Sequence, residues 1–515
     1  MPKSMNRREF LTTVGAGAAT LLMPQLGRGA QPDRKSKMSK PNLLFIFTDE
    51  QRQDTMRAYG NARIRTPNMD ALAEKSVVFT RAYDSQPVCT PARATIMTGL
   101  YPHTTGCIAN NIPLDGKIAT IAEMFKDRDY RFAYHGKWHL GDEIFAQHGF
   151  QDWESIEDGY RAYYREGRDR MRNCSYFYWL KAHGFKPDAG KNGFSSFSRN
   201  KAVSLPAQFT KPAFLAETIS RFIRDNKDRP WVGYVNFLEP HMPFTGPYNG
   251  LYDPDKMTLP ANFNVASPDE PMKCRLLREH YRRSGFDGID LSGESGWRRL
   301  MANYWGLVTL VDEAVGRILA ALADSGAEGR TIIVFTTDHG DMMGSHRLLA
   351  KTVMFEEAVK VPLLVRAPGL APHRVDAPVS QVDLVPTLLD LMSQPIAPQL
   401  QGHSLRPVLE QRGKPTEDHV FIEWNERGEA QASEPGAEVS DLAKKVSASR
   451  TRTVISPDGW KLNLSEADRC ELYHLPSDPG EAQNLFYSGS HQDTIDRLRE
   501  RIKRWQERTK DDAHV

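Results

Sequence analysis

The stretch Cys89-Thr90-Pro91-Ala92-Arg93-Ala94-Thr95-Ile96-Met97-Thr98-Gly99 combines a cysteine, a helix-compatible proline and a closing glycine. Pro91 suits the first turn of a helix, where its missing N–H is not needed. Thr90 is the predicted N-cap of a helix that runs to about Thr98 and ends at Gly99. Cys89 is therefore expected just ahead of a helix N-terminus, where free N–H groups and the helix dipole favour an anion.

Short apolar runs on both sides of this helix predict an α/β fold. Buried strands are predicted at 41–48, 131–134, 231–238, 331–337 and 361–365. Amphipathic helices alternate with them, notably Phe214–Asn226 and Leu300–Ala323. The alternation indicates a large mixed, mostly parallel sheet sandwiched by helices. Ligands in such folds collect at the carboxyl ends of the strands.

The character of the chain changes after about Gly402. The elements predicted there are two strands, a hairpin turn and a closing basic helix, at 419–424, 451–455, 458–459 and 494–508. They indicate a smaller C-terminal domain of antiparallel sheet plus helix. The predicted domains are therefore 41–402 and 403–515. The polar segment Glu429–Lys445 is predicted to be a loop.

The N-terminus has the pattern of a targeting segment. Asn6–Leu11 contains Arg7-Arg8 and resembles a twin-arginine export signal. The apolar run that follows, Val14–Met23, is too short to span a bilayer, and Arg28-Gly29-Ala30 offers small residues for cleavage. Residues 1–30 are thus predicted to direct the protein to the periplasm or the medium. The alternative is an uncleaved amphipathic anchor.

Charge and cysteine spacing exclude several classes of protein. The chain has a net charge of +2, and residues 1–30 carry four basic side chains against one acidic one, so the remainder carries −1. This balance does not favour nucleic acid as a partner. No other apolar stretch is long enough for a membrane helix. The five cysteines are scattered and lack the paired spacing of a zinc site.

The motif Cys-x-Pro-x-Arg, here Cys89, Pro91 and Arg93, resembles the signature of type I sulfatases, of the alkaline phosphatase-like superfamily. The resemblance extends from Asn42 to the block Glu471-Leu472-Tyr473. In that family a formylglycine-generating enzyme oxidises the cysteine to an aldehyde, whose hydrate is the nucleophile. One hydroxyl attacks sulfur and deprotonation of the other expels sulfate, so no second displacement at sulfur is needed. The alternative for Cys89 is a buried thiol or half a disulfide.

Two blocks that follow predicted strands resemble the metal-binding blocks of the family, at 48–52 and 337–341. The resemblance implies that Asp49, Asp338 and the oxidised Cys89 supply oxygens to one divalent cation. Glu50 and His339 would complete the shell. Oxygen ligands favour a hard ion, and the family usually binds calcium, although a histidine ligand leaves manganese or zinc open. The alternative is that an aspartate at a strand end only caps the next helix.

Three further blocks resemble the family's sulfate-binding segments, at 135–141, 239–244 and 344–351. The resemblance implies that Lys137 and Lys351 bind sulfate as point charges. His139 would hydrogen-bond the hydrate and help to eliminate sulfate, whereas His241 would protonate the departing alkoxide. Arg93 would hold the hydrate and offset negative charge. Taken singly, these lysines and histidines are also common surface residues.

Gly159–Lys201 is a segment more specific to this chain. It contains ten Lys or Arg residues, three acidic residues and ten aromatic ones. Basic and aromatic side chains together suit a sulfated sugar, and Arg165, Arg168 and Arg172 are the arginines expected to contribute. A second basic group, within Lys273–Arg283, is expected to add to this charge. Interleaved basic and aromatic residues also suit single-stranded nucleic acid, but the predicted export of the protein argues against that partner. The remaining alternative is an ordinary insertion.

These features predict a metal-dependent sulfatase that acts on a sulfated carbohydrate. A phosphonate monoester or phosphodiester hydrolase is the first alternative, because such enzymes share the metal site and the nucleophile. A sugar-binding protein whose Cys89 is never oxidised is the alternative from a different class. The expected partners are the sulfated substrate and, during maturation, a formylglycine-generating enzyme.

Overall fold

The computed structural model describes residues 40–189, 194–425, 446 and 448–515. The export signal predicted at 1–30 and the loop predicted at 429–445 lie outside the described residues. The strands are β1 Asn42–Asp49, β2 Val77–Tyr83, β3 Arg131–Gly136, β4 Asp152–Glu154, β5 Asp188–Ala189, β6 Ser195–Ser196, β7 Trp231–Pro240, β8 Thr331–Thr337, β9 Lys360–Arg366, β10 His373–Val375, β11 Val379–Ser380, β12 Val420–Trp424, β13 Thr451–Ile455, β14 Trp460–Ser465 and β15 Glu471–His474. The α-helices are α1 Pro67–Ala73, α2 Cys89–Thr98, α3 Pro102–Thr105, α4 Ile121–Met124, α5 Ser175–Ala182, α6 Arg199–Val203, α7 Lys211–Asp225, α8 Met272–Ser284, α9 Glu294–Asp324, α10 Glu356–Val359, α11 Leu384–Leu391, α12 Arg406–Leu409 and α13 Gln492–Thr509.

The main sheet has nine strands, in the order β10-β2-β9-β8-β1-β7-β3-β4, with β11 paired to β2. β1 is parallel to both β7 and β8, and β3 is parallel to β7. β9 is antiparallel to both of its neighbours, β8 and β2. The prediction of a mixed, mostly parallel sheet is therefore confirmed.

Alternation along β1 explains why the sheet carries helices on both faces. Leu43, Phe45 and Phe47 belong to one buried cluster, which includes residues of α2 and α11. Leu44 and Ile46 belong to a second cluster, which includes residues of α7 and α9. Successive side chains of a strand point to opposite faces, so an unbroken apolar run requires a layer on each side. Each such buried side chain stabilises the fold by about 1.5–3 kcal/mol.

α2 begins two residues earlier than the sequence predicts, at Cys89 instead of Pro91. Val88, in an extended conformation, is the N-cap residue, and its side chain makes no capping hydrogen bond. The prediction that Thr90 caps the helix is wrong, because its hydroxyl donates instead to the carbonyl oxygen of His139, at 2.9 Å. Gly99 ends the helix as predicted, with φ +67° in the left-handed region that favours glycine.

The C-terminal strands form a separate antiparallel sheet, in the order β12-β13-β14-β15, which confirms its predicted type. α13 packs Ile495, Leu498, Ile502 and Trp505 into a buried cluster with residues of this sheet. Lys40–Val515 forms one compact unit, and the boundary between 402 and 403 stays a prediction.

β12 also reaches the segment that precedes Cys89. The N–H of Glu423 donates to the carbonyl oxygen of Ser85, at 2.9 Å, and the side-chain amide of Asn425 donates to Oε1 of Gln86, at 3.1 Å. The C-terminal sheet is therefore hydrogen-bonded to the approach of α2. Among the described helices, none is long and apolar enough to cross a membrane.

Candidate active site

The candidate site lies where several parallel strands of the main sheet end. Asp49 is the last residue of β1, and Asp338 directly follows β8. Lys137 directly follows β3, which ends at Gly136. Cys89, the first residue of α2, is only 1% exposed. The parallel order of β3, β7, β1 and β8 thus brings together side chains that are far apart in the sequence.

Asp49, Cys89, Asp338 and His339 form a cluster whose potential ligand atoms all lie within 4.8 Å of one another. Nε2 of His339 lies 3.4 Å from the Cys89 sulfur, which lies 3.7 Å from Oδ1 of Asp49. Glu50 belongs to an adjoining group, and its buried Oε1 has no hydrogen-bond partner among the described residues. Buried carboxylates with one imidazole are a donor set that fits a divalent cation.

Arg93 joins the strand ends that carry this cluster. Its Nη2 lies 2.7 Å from Oδ2 of Asp49 and 3.0 Å from Oδ2 of Asp338. Its Nη1 donates to the carbonyl oxygen of Lys137 and to Oδ1 of Asn236, both at 2.7 Å. Because both terminal nitrogens are paired and the side chain is 1% exposed, the guanidinium is held in one position.

The two predicted sulfate-binding lysines contact different acids of the site. Nζ of Lys137 contacts Oδ2 of Asp49, at 2.5 Å, and Nζ of Lys351 contacts Oε2 of Glu50, at 2.9 Å. Gly136 has φ +129°, and a Cβ there would lie 1.9 Å from the carbonyl oxygen of Asn236. Only glycine therefore allows β3 to deliver Lys137 so close to β7.

Burial and charge pairing act in opposite directions on the pKa values of the two acids at the end of β1. Burial raises the pKa of Asp49, but Lys137 and Arg93 outweigh it and hold that pKa well below its ordinary value. Burial raises the pKa of Glu50 to about 8, against the opposing effect of Lys351. A cation bound beside Glu50 would favour its ionised form.

The three histidines of the site differ in electrostatic environment. Burial, followed by Lys137 and Arg93, holds the pKa of His139 well below its ordinary value. Burial and Lys351 do the same for His241, whose Nε2 lies 3.4 Å from Oε2 of Glu50. These two imidazoles are therefore neutral. Burial lowers the pKa of His339, but Asp338 outweighs it and raises that pKa to about 10.

His139 is fixed by its backbone and by its ring. Its φ is +57°, in the left-handed region, and its N–H donates to Oε2 of Glu143, at 2.6 Å. Its Nε2 lies 2.9 Å from Oδ1 of Asn111, and its ring centroid lies 4.4 Å from that of Tyr160. Glu143 and Asn111 thus orient the imidazole that the sequence predicts to transfer a proton.

The cluster opens into a cleft of about 490 Å³. The residues that line it are Cys89, Asn110, Asn111, Lys137, His139, Glu157, Asp158, Gly159, Tyr160, Ser196, Phe197, Ser198, Arg199 and His241. The predicted nucleophile, one lysine and two histidines are therefore together in one cavity, with residues of the 159–201 segment as a wall. Lys351 does not line the cleft and reaches the cluster through Glu50.

The arginines expected to contribute from the 159–201 segment lie elsewhere. Arg165 and Arg168 pair with the buried Asp142, at 3.4 and 3.0 Å, and Arg168 and Arg172 lie over the ring of Phe145. None of the three lines the cleft, because their charge and stems are used in packing the segment onto the domain.

The basic group in α8 is likewise paired locally rather than turned to the cleft. Arg278 pairs with Glu270, and Arg282 and Arg283 pair with Glu279. Lys273 lies over the ring of Trp424. The prediction that this group adds to the substrate-binding charge therefore finds no support in the lining of the cleft.

Sequence reasoning missed the residues that hold the predicted ones in place. Asn236 anchors Arg93, Glu143 and Asn111 orient His139, and Arg199 reaches the cleft wall. Glu143 lies four residues after His139, a spacing that alone carries no signal. Asn236 lies inside the run of β7, where a buried amide among apolar residues was the available clue.

Taken together, the geometry suits the transfer of an anionic group to a nucleophile. Burial and Asp49 raise the pKa of the Cys89 thiol, but Lys137, Lys351 and His339 outweigh them and lower it. The same cations attract an anion to the N-terminus of α2. The neutral imidazoles of His139 and His241 can each accept a proton and pass it on.

Known proteins agree with this architecture. The family model "Sulfatase" matches residues 41–394, and the model "N-sulphoglucosamine sulphohydrolase, C-terminal" matches residues 344–508. An uncharacterized sulfatase of Escherichia coli is 29% identical over 455 residues, which cover 87% of this chain and 84% of that protein. The N-acetylglucosamine-6-O-sulfatase of Bacteroides thetaiotaomicron is 27% identical over an alignment that covers 98% of this chain and 95% of that protein.

A solved structure shows the same fold. The phosphonate monoester hydrolase of Agrobacterium radiobacter matches with a TM-score of 0.73 and 26% identity, over 91% of this chain and 96% of its own. Because the sulfatase model covers more than half of the sequence, from β1 to the residues just after α11, its match decides the family. The chain belongs to the sulfatase family.

Proposed function

We propose that this sulfuric ester hydrolase acts on a sulfated carbohydrate and that Cys89, oxidised to formylglycine, supplies the nucleophile. One observation carries the proposal: Cys89 begins α2 beside Asp49 and His339, in a cleft with Lys137 and neutral histidines. An aldehyde hydrate at this position combines a nucleophilic hydroxyl with a second hydroxyl that drives release.

The side chains of the proposed active site have separate roles. Lys137 and Lys351 neutralise the sulfate group, and Arg93 holds the formylglycine hydrate in position for attack. As a new O–S bond forms, the ester S–O bond breaks. The neutral imidazole of His241 takes the proton of the attacking hydroxyl and delivers it to the departing alkoxide oxygen. His139 then takes a proton from the second hydroxyl, so that the C–O bond breaks, sulfate leaves and the aldehyde returns.

We propose that Asp49, Glu50, Asp338, His339 and the oxidised Cys89 hold one divalent cation. When bound, the ion supplies positive charge that neutralises sulfate oxygens and polarises the nucleophile. Calcium suits the carboxylates best, and manganese or zinc remains the alternative because of His339. Elemental analysis of the purified protein identifies the ion.

The carbohydrate part of the proposal is supported by the cleft wall and by relatives. Tyr160 and Phe197 bring aromatic rings to the cleft, and Arg199 brings a guanidinium. Rings of this kind stack on sugar faces, and a guanidinium pairs with anions. One relative, 27% identical, is an N-acetylglucosamine-6-O-sulfatase.

The deciding experiment is a desulfation screen of the mature protein. Glycosaminoglycan, algal polysaccharide, monosaccharide sulfate and choline sulfate are compared by sulfate release, with Cys89→Ala as the inactive control. We expect the protein to release sulfate from at least one sulfated sugar, and to release it more slowly from choline sulfate. Preference for a small uncharged aryl or alkyl sulfate would remove the carbohydrate assignment and leave the hydrolase.

A phosphonate monoester hydrolase is the second candidate, because a structure of that class matches the chain. Paired assays on an aryl sulfate and on a phosphonate monoester or phosphodiester separate the two. Higher kcat/KM for the phosphorus ester would favour this candidate. A binding protein with unmodified Cys89 is separated from both by mass analysis of the Cys89 peptide.

We also propose that residues 1–30 direct export by the twin-arginine route, after a formylglycine-generating enzyme has acted on Cys89. Folded export suits a cysteine that is modified in the cytoplasm. Replacing Arg7 and Arg8 by lysine should retain the precursor in the cytoplasm, as fractionation and immunoblotting would reveal. The proposed domains of the mature chain are 41–402 and 403–515.

A further inference from the structure

Arg199 is the arginine of the 159–201 segment that faces the catalytic cleft. It is the first residue of α6, lines the cleft and is half-buried, with a side chain 33% exposed. The same cleft is lined by Cys89, His139 and His241. The guanidinium is therefore open to the cavity that contains the predicted nucleophile.

A buried carboxylate fixes the position of this guanidinium. Nε and Nη2 of Arg199 both donate to Oε2 of Glu157, and Lys211 contacts the other oxygen of the same carboxylate. Glu157 and Lys211 are both almost fully buried. Arg199, Lys211 and Glu157 together carry a net charge of +1, and Arg199 is the cation of this group that lines the cleft.

The other acidic side chain of the cleft wall does not cancel this charge. Asp158 pairs with Arg161, at 2.9 Å, so its charge is offset locally. Glu239 is buried and does not line the cleft, and burial raises its pKa to about 7, which reduces its ionised fraction near neutral pH. The wall around Arg199 is thus positive or neutral, which is the environment that an anionic substituent requires.

Tyr160 links Arg199 to the catalytic centre. Its hydroxyl accepts a hydrogen bond from Nη2 of Arg199, at 3.1 Å, and its ring lies against that of His139, with centroids 4.4 Å apart. One side chain therefore separates the guanidinium from an imidazole beside the nucleophile. A group bound by Arg199 belongs to the same sugar as the scissile ester, or to the next one.

We propose that Arg199 is a specificity-determining residue that binds a second anionic group of the substrate, a carboxylate or a further sulfate. This inference rests on the proposed carbohydrate sulfatase function and narrows it to sugars that carry more than one negative charge. A planar guanidinium held by a buried carboxylate is preorganised for such an anion, because its position costs no further ordering when the substrate binds.

The test compares three sugars that share the ester found in the screen: the monosulfate, the same sugar with a second sulfate, and a sugar with a neighbouring carboxylate. We expect the wild-type protein to prefer one of the two dianions. Arg199→Gln should reduce this preference, as a ratio of kcat/KM values, by about ten- to a hundredfold. Arg199→Lys should retain part of it, and Arg168→Gln, from the same segment but outside the cleft, should retain all of it.

The dianion that is preferred identifies the second group as sulfate or carboxylate, and either result supports the proposal. Equal kcat/KM for all three sugars in the wild-type protein would overturn it. If Arg199→Gln lowers kcat/KM by the same factor for all three sugars, the proposal is also overturned, because a purely structural role of Arg199 has that effect. If no sulfated sugar is cleaved and a phosphonate monoester is, the proposed function itself fails.

Discussion

Replacing Asn236, inside β7, by leucine removes the neutral side chain that holds Arg93 in position. Asn236 is fully buried, its Oδ1 accepts from Nη1 of Arg93, and its Nδ2 donates to the carbonyl oxygen of Phe47, at 3.0 Å. Leucine has a similar size, so the change removes two hydrogen bonds and creates no large cavity.

The cost follows from those two bonds. A buried hydrogen bond to a charged group contributes about 1.5–3 kcal/mol, and a stranded carbonyl oxygen costs about 1–3 kcal/mol. The buried leucine side chain offsets about 1 kcal/mol, which leaves a loss of about 1.5–5 kcal/mol in the free energy of unfolding. For a chain of this size the unfolding midpoint should fall by about 1.5–5 °C. Turnover should fall by about ten- to a hundredfold, since Arg93 loses its position.

Thermal unfolding and aryl sulfate turnover measure the two effects. Asn236→Asp keeps the acceptor for Arg93 and should retain more activity than the leucine variant. Asn226→Leu is the matched control, because that amide donates to Phe222 within one helix and its loss should cost less than about 1 kcal/mol. An Asn236→Leu protein with wild-type midpoint and turnover would refute the role assigned to this side chain.

Three further outcomes are expected. Mass analysis of the Cys89 peptide, after coexpression with a formylglycine-generating enzyme, should show the aldehyde. Cys89→Ser should fold normally but not turn over, because its hydroxyl cannot release sulfate. Wild-type turnover by Cys89→Ala would contradict this. Asp49→Asn and Asp338→Asn should each lower activity by more than about a hundredfold, and chelation should do so reversibly; activity that is indifferent to exhaustive chelation would count against a metal. Burial raises the pKa of Glu157, but Arg199 and Lys211 outweigh burial and lower that pKa from 4.5 to about 2. The ionised form of Glu157 therefore stabilises the fold above pH 4.5, and this contribution is lost as the pH falls toward 2. Glu157→Gln should therefore be less stable at neutral pH by about 3 kcal/mol, with a difference that shrinks below pH 4.5 in unfolding measurements.

The main sheet was predictable because its central strands are buried on both faces. An unbroken apolar run such as Thr331–Thr337 has no competing solvent-facing arrangement, and β8 has these bounds. β13 likewise has its predicted bounds, Thr451–Ile455. The start of α2 was misplaced by two residues because the Thr90 hydroxyl bonds to His139, a partner that lies 49 residues away and is not visible locally.

The acids at the strand ends were identified from motifs, whereas their supports were not. Arg165 and Arg168 looked like ligands for a substrate because charge is visible in a sequence. Their buried partner, Asp142, is visible only when the segment is folded. Conversely, the sequence gives no reason to single out Arg199 among the ten basic residues of its segment. Its orientation depends on hydrogen bonds to Glu157 and Tyr160, which only the structure shows.

The hydrogen bonds from β12 to Ser85 and Gln86 have a practical consequence for protein engineering. A fragment that stops at residue 402 would leave those two acceptors, a few residues before the nucleophile, without the donors of Glu423 and Asn425. The C-terminal sheet is thus not an exchangeable module, and a chimaera with a relative's C-terminal part would need an equivalent edge strand. Grafting β12 together with the segment 84–88 would preserve the entrance to α2.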